Sequence, residues 1–430
     1  MGRGMRQTVK QLKFELQDKF SGEWGKEPEG AIQKDEIDVP CVRVADFDRA
    51  RKQVDDDVPT IRRIPRSVFS KKRLKPGDIL VEKSGGGEKT PVGDAMLYEG
   101  SDHAICANFI EVVRPLPGND SRYWKYLLGS GYANGDTRTI IKQTTGIQNL
   151  DLQRYFDRKM YLPSLEEQQL IADYLDAETA EIDATVAKLD ELLEDLDHRR
   201  TKTLEFATSG QMSPDSTSQD FKQLKFEISR RFAGDWGDDE GKLFGDLPCV
   251  RVADFDRPTN SVTDDVPTIR SYKKQTIAEK HLEDGDILVE KSGGGEKTPV
   301  GAAMLYHGGN KALCANFIEV VRPNQNHDSR YWTYLLSAGY DSGETRTIIK
   351  QTTGIQNLDM QRYFDRVKFL PPLDEQRRIA DYLDVETARI DKMKATATEL
   401  RDELLARRKA LITEVVTGRK RLTGNEKQEV

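Results

Sequence analysis

The chain has 430 residues, 32% of them charged and 37% apolar, with 15 Phe, 14 Tyr, 4 Trp and a formal net charge of −7. That length predicts two to four domains, and the aromatic content excludes a disordered chain. No apolar run approaches the roughly 18 residues of a membrane helix, and the basic start MGRGMRQTVKQLKF lacks a signal-peptide core, so a cytoplasmic protein with no membrane partner is expected.

In chain order, one unit is written twice. At a shift of 208 residues VPCVRVADFD (39–48) returns as LPCVRVADFD (247–256). VEKSGGGEKTPVGDAMLY (81–98) returns at 289–306, differing only at Asp94/Ala302. DTRTIIKQTTGIQNLDLQRYFDR (136–158) returns with Asp136 changed to Glu344 and Leu152 to Met360. Each copy opens on β-type runs (CVRVADF, DILVEK, AMLY, CANFIEVVRP) punctuated by Gly, Pro, Asn and Asp, then a helical SRYWKYLL or SRYWTYLL, then TRTIIK. Cys41, Cys106, Cys249 and Cys314 lie inside such runs, without CxxC spacing, and read as buried reduced thiols; the clustered His or Cys of a metal site is missing.

Pro163 and Pro371–Pro372 precede two predicted helices, about 164–208 and 372–417. Apolar residues follow a 4-3 rhythm: Ile171, Leu175, Ile182, Leu189, Leu192 and Leu196, then Ile379, Leu383, Ile390, Met393, Ala397, Leu400, Leu404 and Leu411. Glu178, Thr185 and Glu386 interrupt it, which favours a two-helix seam over full burial. Gly210 and Gly418 are placed to close the helices. So long a stripe needs cover, and the simplest partner is the other helix run antiparallel. The expected fold class is α+β: two pseudo-twofold-related α/β domains separated by two long antiparallel coiled-coil helices. The expected boundaries are globular domains at 1–162 and 225–370, spacer helices at 163–210 and 371–418, a linker at 211–224 and a basic tail at 419–430.

Charge is uneven. Ser164–Asp197 carries a net −11, leaving +4 for the rest. The acidic helix reads either as a solvated surface or as a dock for a basic partner.

Two loops per copy could carry chemistry. In SGGGEKT (84–90 and 292–298) Glu88 and Glu296 separate Gly from Lys, which argues against a nucleotide phosphate loop. Lys83, Ser84, Gly85 and Lys89, with Lys291, Ser292, Gly293 and Lys297, could instead approach a large polyanion; a tight structural hairpin is the alternative. KQTTGIQNLD crowds Lys142, Gln143, Thr144, Thr145, Gln148 and Asn149 after Arg138, and its copy crowds Lys350, Gln351, Thr352, Thr353, Gln356 and Asn357 after Arg346. Such side chains can bond base edges in the DNA major groove, or merely build a loop. Arg43 and Arg251 read either as phosphate or base contacts or as partners of nearby Asp46 and Asp254.

His103, His198, His281, His307 and His327 have no histidine at the 208-shifted position, and no GxSxG, HExxH, GxGxxG or adenine-methylation motif is present. A non-catalytic protein is expected. The copies agree at 17 of 18 and 21 of 23 loop positions but at only 7 of 24 in the distal helix halves (183–206 against 391–414).

The order of globular domain, LPSLEEQQLIADYLDAETAEID, second globular domain, LPPLDEQRRIADYLDVETARID resembles the specificity (S) subunit of type I restriction–modification enzymes over nearly the whole chain. That resemblance implies two target recognition domains on double-stranded DNA, and helices that set their spacing and dock two adenine methyltransferase (M) subunits and motor-nuclease (R) subunits. It implies no active site and no cofactor in this chain, with S-adenosylmethionine, ATP and Mg in the partners. Near-identical recognition domains depart from the family's usual unlike pair and predict a nearly palindromic bipartite target. A recognition subunit of another methyltransferase-based defence system and a coiled-coil scaffold that binds no DNA remain the alternatives.

Overall fold

The computed structural model describes residues 9–422 other than 89, 145, 310 and 353, and at 144, 351 and 352 the backbone alone. Contacts divide the chain into two units. One takes the chain up to Leu189 and again from Leu400; the other is Asp190–Glu399.

In the first unit the short runs ILVE and AMLY become strands Ile79–Glu82 and Ala95–Tyr98, buried on both faces. They lie in a five-stranded sheet ordered Leu16–Ser21, Ile110–Pro115, Ile79–Glu82, Ala95–Tyr98, Gln53–Val54, antiparallel except for the last pair. Alternation along a strand sends successive side chains to opposite faces. Ile79, Val81, Ala95 and Leu97 meet Tyr123, Trp124, Leu127 and Leu128 of helix Ser121–Ala133. Leu80, Met96 and Tyr98 meet Val42, Phe47, Val54 and Leu74 on the other side. Asp120 caps the helix by accepting from the Arg122 and Tyr123 amides. A three-stranded sheet, Ile61–Pro65, Glu36–Val42, Ile105–Cys106, holds a smaller core. All four cysteines are buried and free, and burial pushes the Cys41 thiol up to about 12.

The second unit repeats this plan. Ile287–Glu290 is central in the order Ile228–Ala233, Ile318–Pro323, Ile287–Glu290, Ala303–His307, Ser261–Thr263, covered by helix Ser329–Asp341.

The long helices run Leu165–Thr208 and Leu373–Val416, 44 residues each, or about 66 Å at 1.5 Å per residue. Gly210 and Gly418 follow at φ +90° and +71°, the left-handed conformation that lets a chain leave a helix. In the first unit Ile171, Ala172 and Leu175 share a core with Ile412, Val415 and Val416, while Arg408 meets Asp183 at 2.7 Å. Rising numbers on one segment oppose falling numbers on the other, so the segments are antiparallel. In the second unit Leu204 and Ala207 share a core with Ile379, Ala380 and Leu383, Arg200 lies 3.7 Å from Asp391, and Lys394 pairs with Asp197, again antiparallel.

The seam differs in phase from the sequence expectation. Leu175, Ile182, Leu196, Leu383 and Ile390 are buried, and Leu189 and Leu404 half-buried. The second row lies one residue later than the rhythm suggests. Ala172, Thr179, Ala380 and Thr387 are buried along it, whereas Leu192, Met393 and Leu400 are exposed. Ile171 and Ile379 are buried because the adjoining globular domain covers the helix start. Farther along, Arg200, Lys394, Arg401 and Arg408 occupy the row half-buried. Their stems cover apolar surface while their heads reach carboxylates. Thr179 and Thr387 satisfy their hydroxyls on the Leu175 and Leu383 carbonyls at 2.6 and 2.7 Å. No helix among the described residues is long and apolar enough to cross a membrane.

Candidate nucleic-acid interface

The two loops that the sequence singles out separately form one small sheet. Ser84–Gly85, just beyond strand Ile79–Glu82, pairs with Ile147–Leu150, which pairs with Ile141–Thr144. Gly146 turns the hairpin at φ +84°, a conformation costly for any residue with a Cβ. The register sets Ser84 opposite Asn149 and Asn149 opposite Lys142; it sets Gly85 opposite Gln148 and Gln148 opposite Gln143. The second unit repeats it, with Ser292 opposite Asn357 and Gly293 opposite Gln356.

Opposed residues share a face of the sheet. One face therefore carries Ser84, Lys142, Ile147 and Asn149, and the other Gly85, Gln143 and Gln148. The Ser84 hydroxyl donates to Asn149 Oδ1 at 2.6 Å and that of Ser292 to Asn357 Oδ1 at 2.7 Å, fastening strand to hairpin. Gln148 and Gln356 are buried, and their Oε1 atoms accept from the Val92 and Val300 amides at 3.3 and 3.2 Å. These two glutamines leave the base-reading set, because the returning Gly-rich loop covers their face. Gln143 stays exposed on the edge strand.

The cations sort equally clearly. Lys83 is engaged by Glu111 at 3.0 Å and by the Ser21 hydroxyl, and Lys291 by Glu319 at 3.1 Å; both are interior ties rather than anion contacts. Arg43 grips Asp46 at 2.9 Å and Arg251 grips Asp254 at 2.8 Å, each closing a 3-10 turn, and the carboxylate holds each guanidinium above its ordinary range. Lys142 and Lys350 reach Asp151 and Asp359 at 2.7 Å from side chains 70% exposed. Those lysines and the next turn's amides hold the carboxyls below their usual range. Exposed pairs of this kind are weak and can exchange for phosphate. Arg138, Arg346 and Lys297 are exposed and make no salt bridge among the described residues. Lys89, Thr145 and Thr353 lie outside the described residues, as do the side chains of Thr144, Gln351 and Thr352.

The single difference inside 81–98 is internal. Asp94 is fully buried and accepts from Arg49 at 3.0 Å and Lys52 at 2.7 Å, while Arg49 also reaches Glu82 at 2.7 Å. In the second unit Ala302 replaces Asp94, Asn260 replaces Lys52, and Arg257 keeps Glu290 at 2.8 Å. Burial raises Glu82 and Glu290 above the usual carboxylate range against the pull of their arginines. An ion pair has been exchanged as a pair, at a buried position.

Apolar side chains that the sequence pattern does not single out also lie on this surface. Ile147 and Ile355 are 50% exposed at the hairpin tip, and Phe109 and Phe317 are 47% and 46% exposed in the turn before the Ile110 and Ile318 strands. A signal existed: CANFIEV occurs in both copies, and its Phe breaks the strand's alternation. Among the described residues no group of three or more His, Cys, Asp or Glu is placed to hold a metal ion.

Comparison with known proteins gives a consistent result. The sequence model of the type I restriction modification DNA specificity domain matches residues 13–194. The chain is 24% identical over 332 residues to the type I restriction enzyme StySPI specificity subunit of Salmonella potsdam, covering 74% of this chain and 69% of that protein. It is 22% identical over 375 residues to the EcoKI specificity subunit of Escherichia coli (strain K12), covering 80% and 76%. In fold it is similar, at TM-score 0.71 and 16% identity over 96% of this chain and 97% of the other, to a chain of a structure concerned with complex assembly and conformational transition of the type I R-M system. The HsdS subunit from Thermoanaerobacter tengcongensis follows at TM-score 0.53 and 16% identity over 96% of both chains.

Proposed function

Because the chain belongs to the family of type I restriction–modification specificity subunits, non-catalytic proteins that recognise DNA, we propose that it reads a bipartite, nearly palindromic site. That site is a short sequence, a non-specific spacer and the inverted complement. One observation carries the reading: the same side chains in the same register recur on both hairpins. Ser84–Asn149 and Lys142–Asp151 reappear as Ser292–Asn357 and Lys350–Asp359 at distances within 0.1 Å of their counterparts. The one change within the Gly-rich segment is buried and compensated, so it does not alter what that segment offers to a base. Inversion follows from the antiparallel helices that the sequence predicts.

In this reading Lys142, Arg138 and their copies, with Lys297, supply salt-dependent affinity through phosphates. Asn149 and Gln143, with Asn357 and Gln351, supply discrimination, at about 1–3 kcal/mol per good bidentate base contact. The helices dock two methyltransferase subunits and the motor-nuclease subunits, which bind S-adenosylmethionine, ATP and Mg. Support comes from apolar side chains that the helices leave exposed, among them Val385 at 67%, Met393 at 40%, Leu400 at 44% and Leu405 at 42%.

Mapping methylated adenines in a host that expresses the system tests the proposal. Two half-sites that are inverted repeats are expected, with differences confined to bases faced by 49–74 and 257–282. Two unrelated half-sites would overturn it.

A further inference from the structure

An exposed phenylalanine normally carries a cost: leaving such a ring in water forgoes about 1.5–3 kcal/mol of burial. Phe109 and Phe317 forgo much of it in both units, although their neighbours do not. Ala107 and Ile110 are 6% and 0% exposed, and Ala315 and Ile318 likewise. The rings are not on loose chain. The Ile110 amide closes a turn onto the Ala107 carbonyl at 3.0 Å, and the Phe109 carbonyl accepts from the Lys83 and Ser84 amides at 2.9 and 3.3 Å. Phe317 is fixed in the same way by Lys291 and Ser292, at 2.9 and 3.3 Å. Ser84 and Ser292 are the residues fastened to Asn149 and Asn357. Each ring is thus held in rigid register with the polar edge of the hairpin.

Space is kept beside it as well. Gly85 and Gly293 adopt φ +114°; a Cβ at Gly85 would meet nothing within 4 Å, and one at Gly293 would come 3.8 Å from Glu290 Oε1 and 4.0 Å from the Phe317 ring. Among the described residues neither Phe has an aromatic or cationic partner. Phe14 and Phe226, also exposed, each have a lysine ammonium 5.0 Å from the ring centroid.

A rigid apolar ring beside amide and hydroxyl groups matches one feature of the major groove. There thymine shows an acceptor oxygen next to a C5-methyl group, the groove's apolar landmark. We propose that Phe109 and Phe317 are specificity residues, each laying its ring on a thymine methyl and so fixing one A·T pair at the same position of each half-site. The proposal rests on the DNA-facing role of the hairpin.

The test uses the full chain assembled with its methyltransferase and a duplex carrying the methylated motif, in which each thymine is replaced in turn by uracil, removing only the methyl. Wild type should lose affinity about three- to fivefold at one thymine per half-site, the value of one methyl group. In F109A/F317A the same replacement should change nothing, and F109L/F317L should retain part of the sensitivity. Absence of any thymine-to-uracil effect in wild type, or an undiminished effect in F109A/F317A, would overturn the proposal. So would loss of methyltransferase assembly in both Phe variants, which would make the rings a protein contact. A wild-type complex that binds scrambled duplex as tightly as its own motif would overturn the DNA-facing role itself, a distinct result.

Discussion

The exchange of Lys52–Asp94 for Asn260–Ala302 can be replayed one residue at a time. Asp94→Ala in the first unit strands the Lys52 ammonium and one arm of Arg49. Breaking a buried pair costs about 3–5 kcal/mol. Here the surviving side chains are 19% and 33% exposed, so water recovers part of that, and a loss of about 2 kcal/mol is expected. Lys52→Asn alone leaves Asp94 with Arg49, at a cost of about 1–2 kcal/mol. Both position 52 and position 260 have positive φ, 57° and 51°, a conformation that asparagine tolerates well. The double variant Asp94→Ala/Lys52→Asn copies the second unit at these two positions and should lie within about 1 kcal/mol of wild type, a favourable coupling of about 2–4 kcal/mol. Urea unfolding of the full chain, with hydrogen exchange followed on Ile79–Glu82 and Ala95–Tyr98, reads the effect in the right unit. A double variant as unstable as Asp94→Ala, or an Asp94→Ala variant as stable as wild type, would refute the coupling. The methylated motif should be unchanged throughout.

Further outcomes follow from the site. Gln148→Ala with Gln356→Ala strands the Val92 and Val300 amides and should cost about 1–3 kcal/mol per site in unfolding experiments, while the methylated motif stays the same. Asn149→Ala with Asn357→Ala should relax the motif at one base pair per half-site in methylation mapping and, by removing the acceptors of the Ser84 and Ser292 hydroxyls, lower stability by about 0.5–1.5 kcal/mol per site. Lys297→Ala should lower the slope of log affinity against log salt by about 0.9 in a binding titration. Lys142→Met should let the Asp151 carboxyl titrate nearer its ordinary range. The folded carboxyl is depressed, so the stability it adds is present above the ordinary range and lost as pH falls through the depressed value. A carboxyl-resolved NMR titration should show that upward move, and no move would refute the pairing.

The duplication, the two long helices and the two loops of each copy were legible in the sequence because each leaves a local mark: a nearly verbatim recurrence, a 3.5-residue period, a glycine where the chain must turn; that the two loops pair into one sheet was not. The helix phase was misread because Ile171 and Ile379 are apolar on account of the globular domains, while the true second row uses Ala172, Thr179, Arg200 and Arg408, which hydrophobicity does not flag. Arg43–Asp46 lies within one turn and could be foreseen as a pair. Lys83–Glu111 joins strands 28 positions apart and could not. The separation of Asn149 from Gln148 follows from strand alternation, but only once Gly146 is known to fix the register.

The first unit draws Ile412, Val415 and Val416 into its core, and its Tyr123 hydroxyl, which donates to the Tyr161 carbonyl at 2.7 Å, lies 3.3 Å from the Val416 carbonyl. The second unit closes entirely within Asp190–Glu399. On the ribosome the order of completion is therefore reversed: the half that emerges later can finish first, while the half made earlier waits with an open apolar flank until the last helical turns arrive. A nonsense mutation shortly after residue 399 would spare the later-made half and cripple the earlier one.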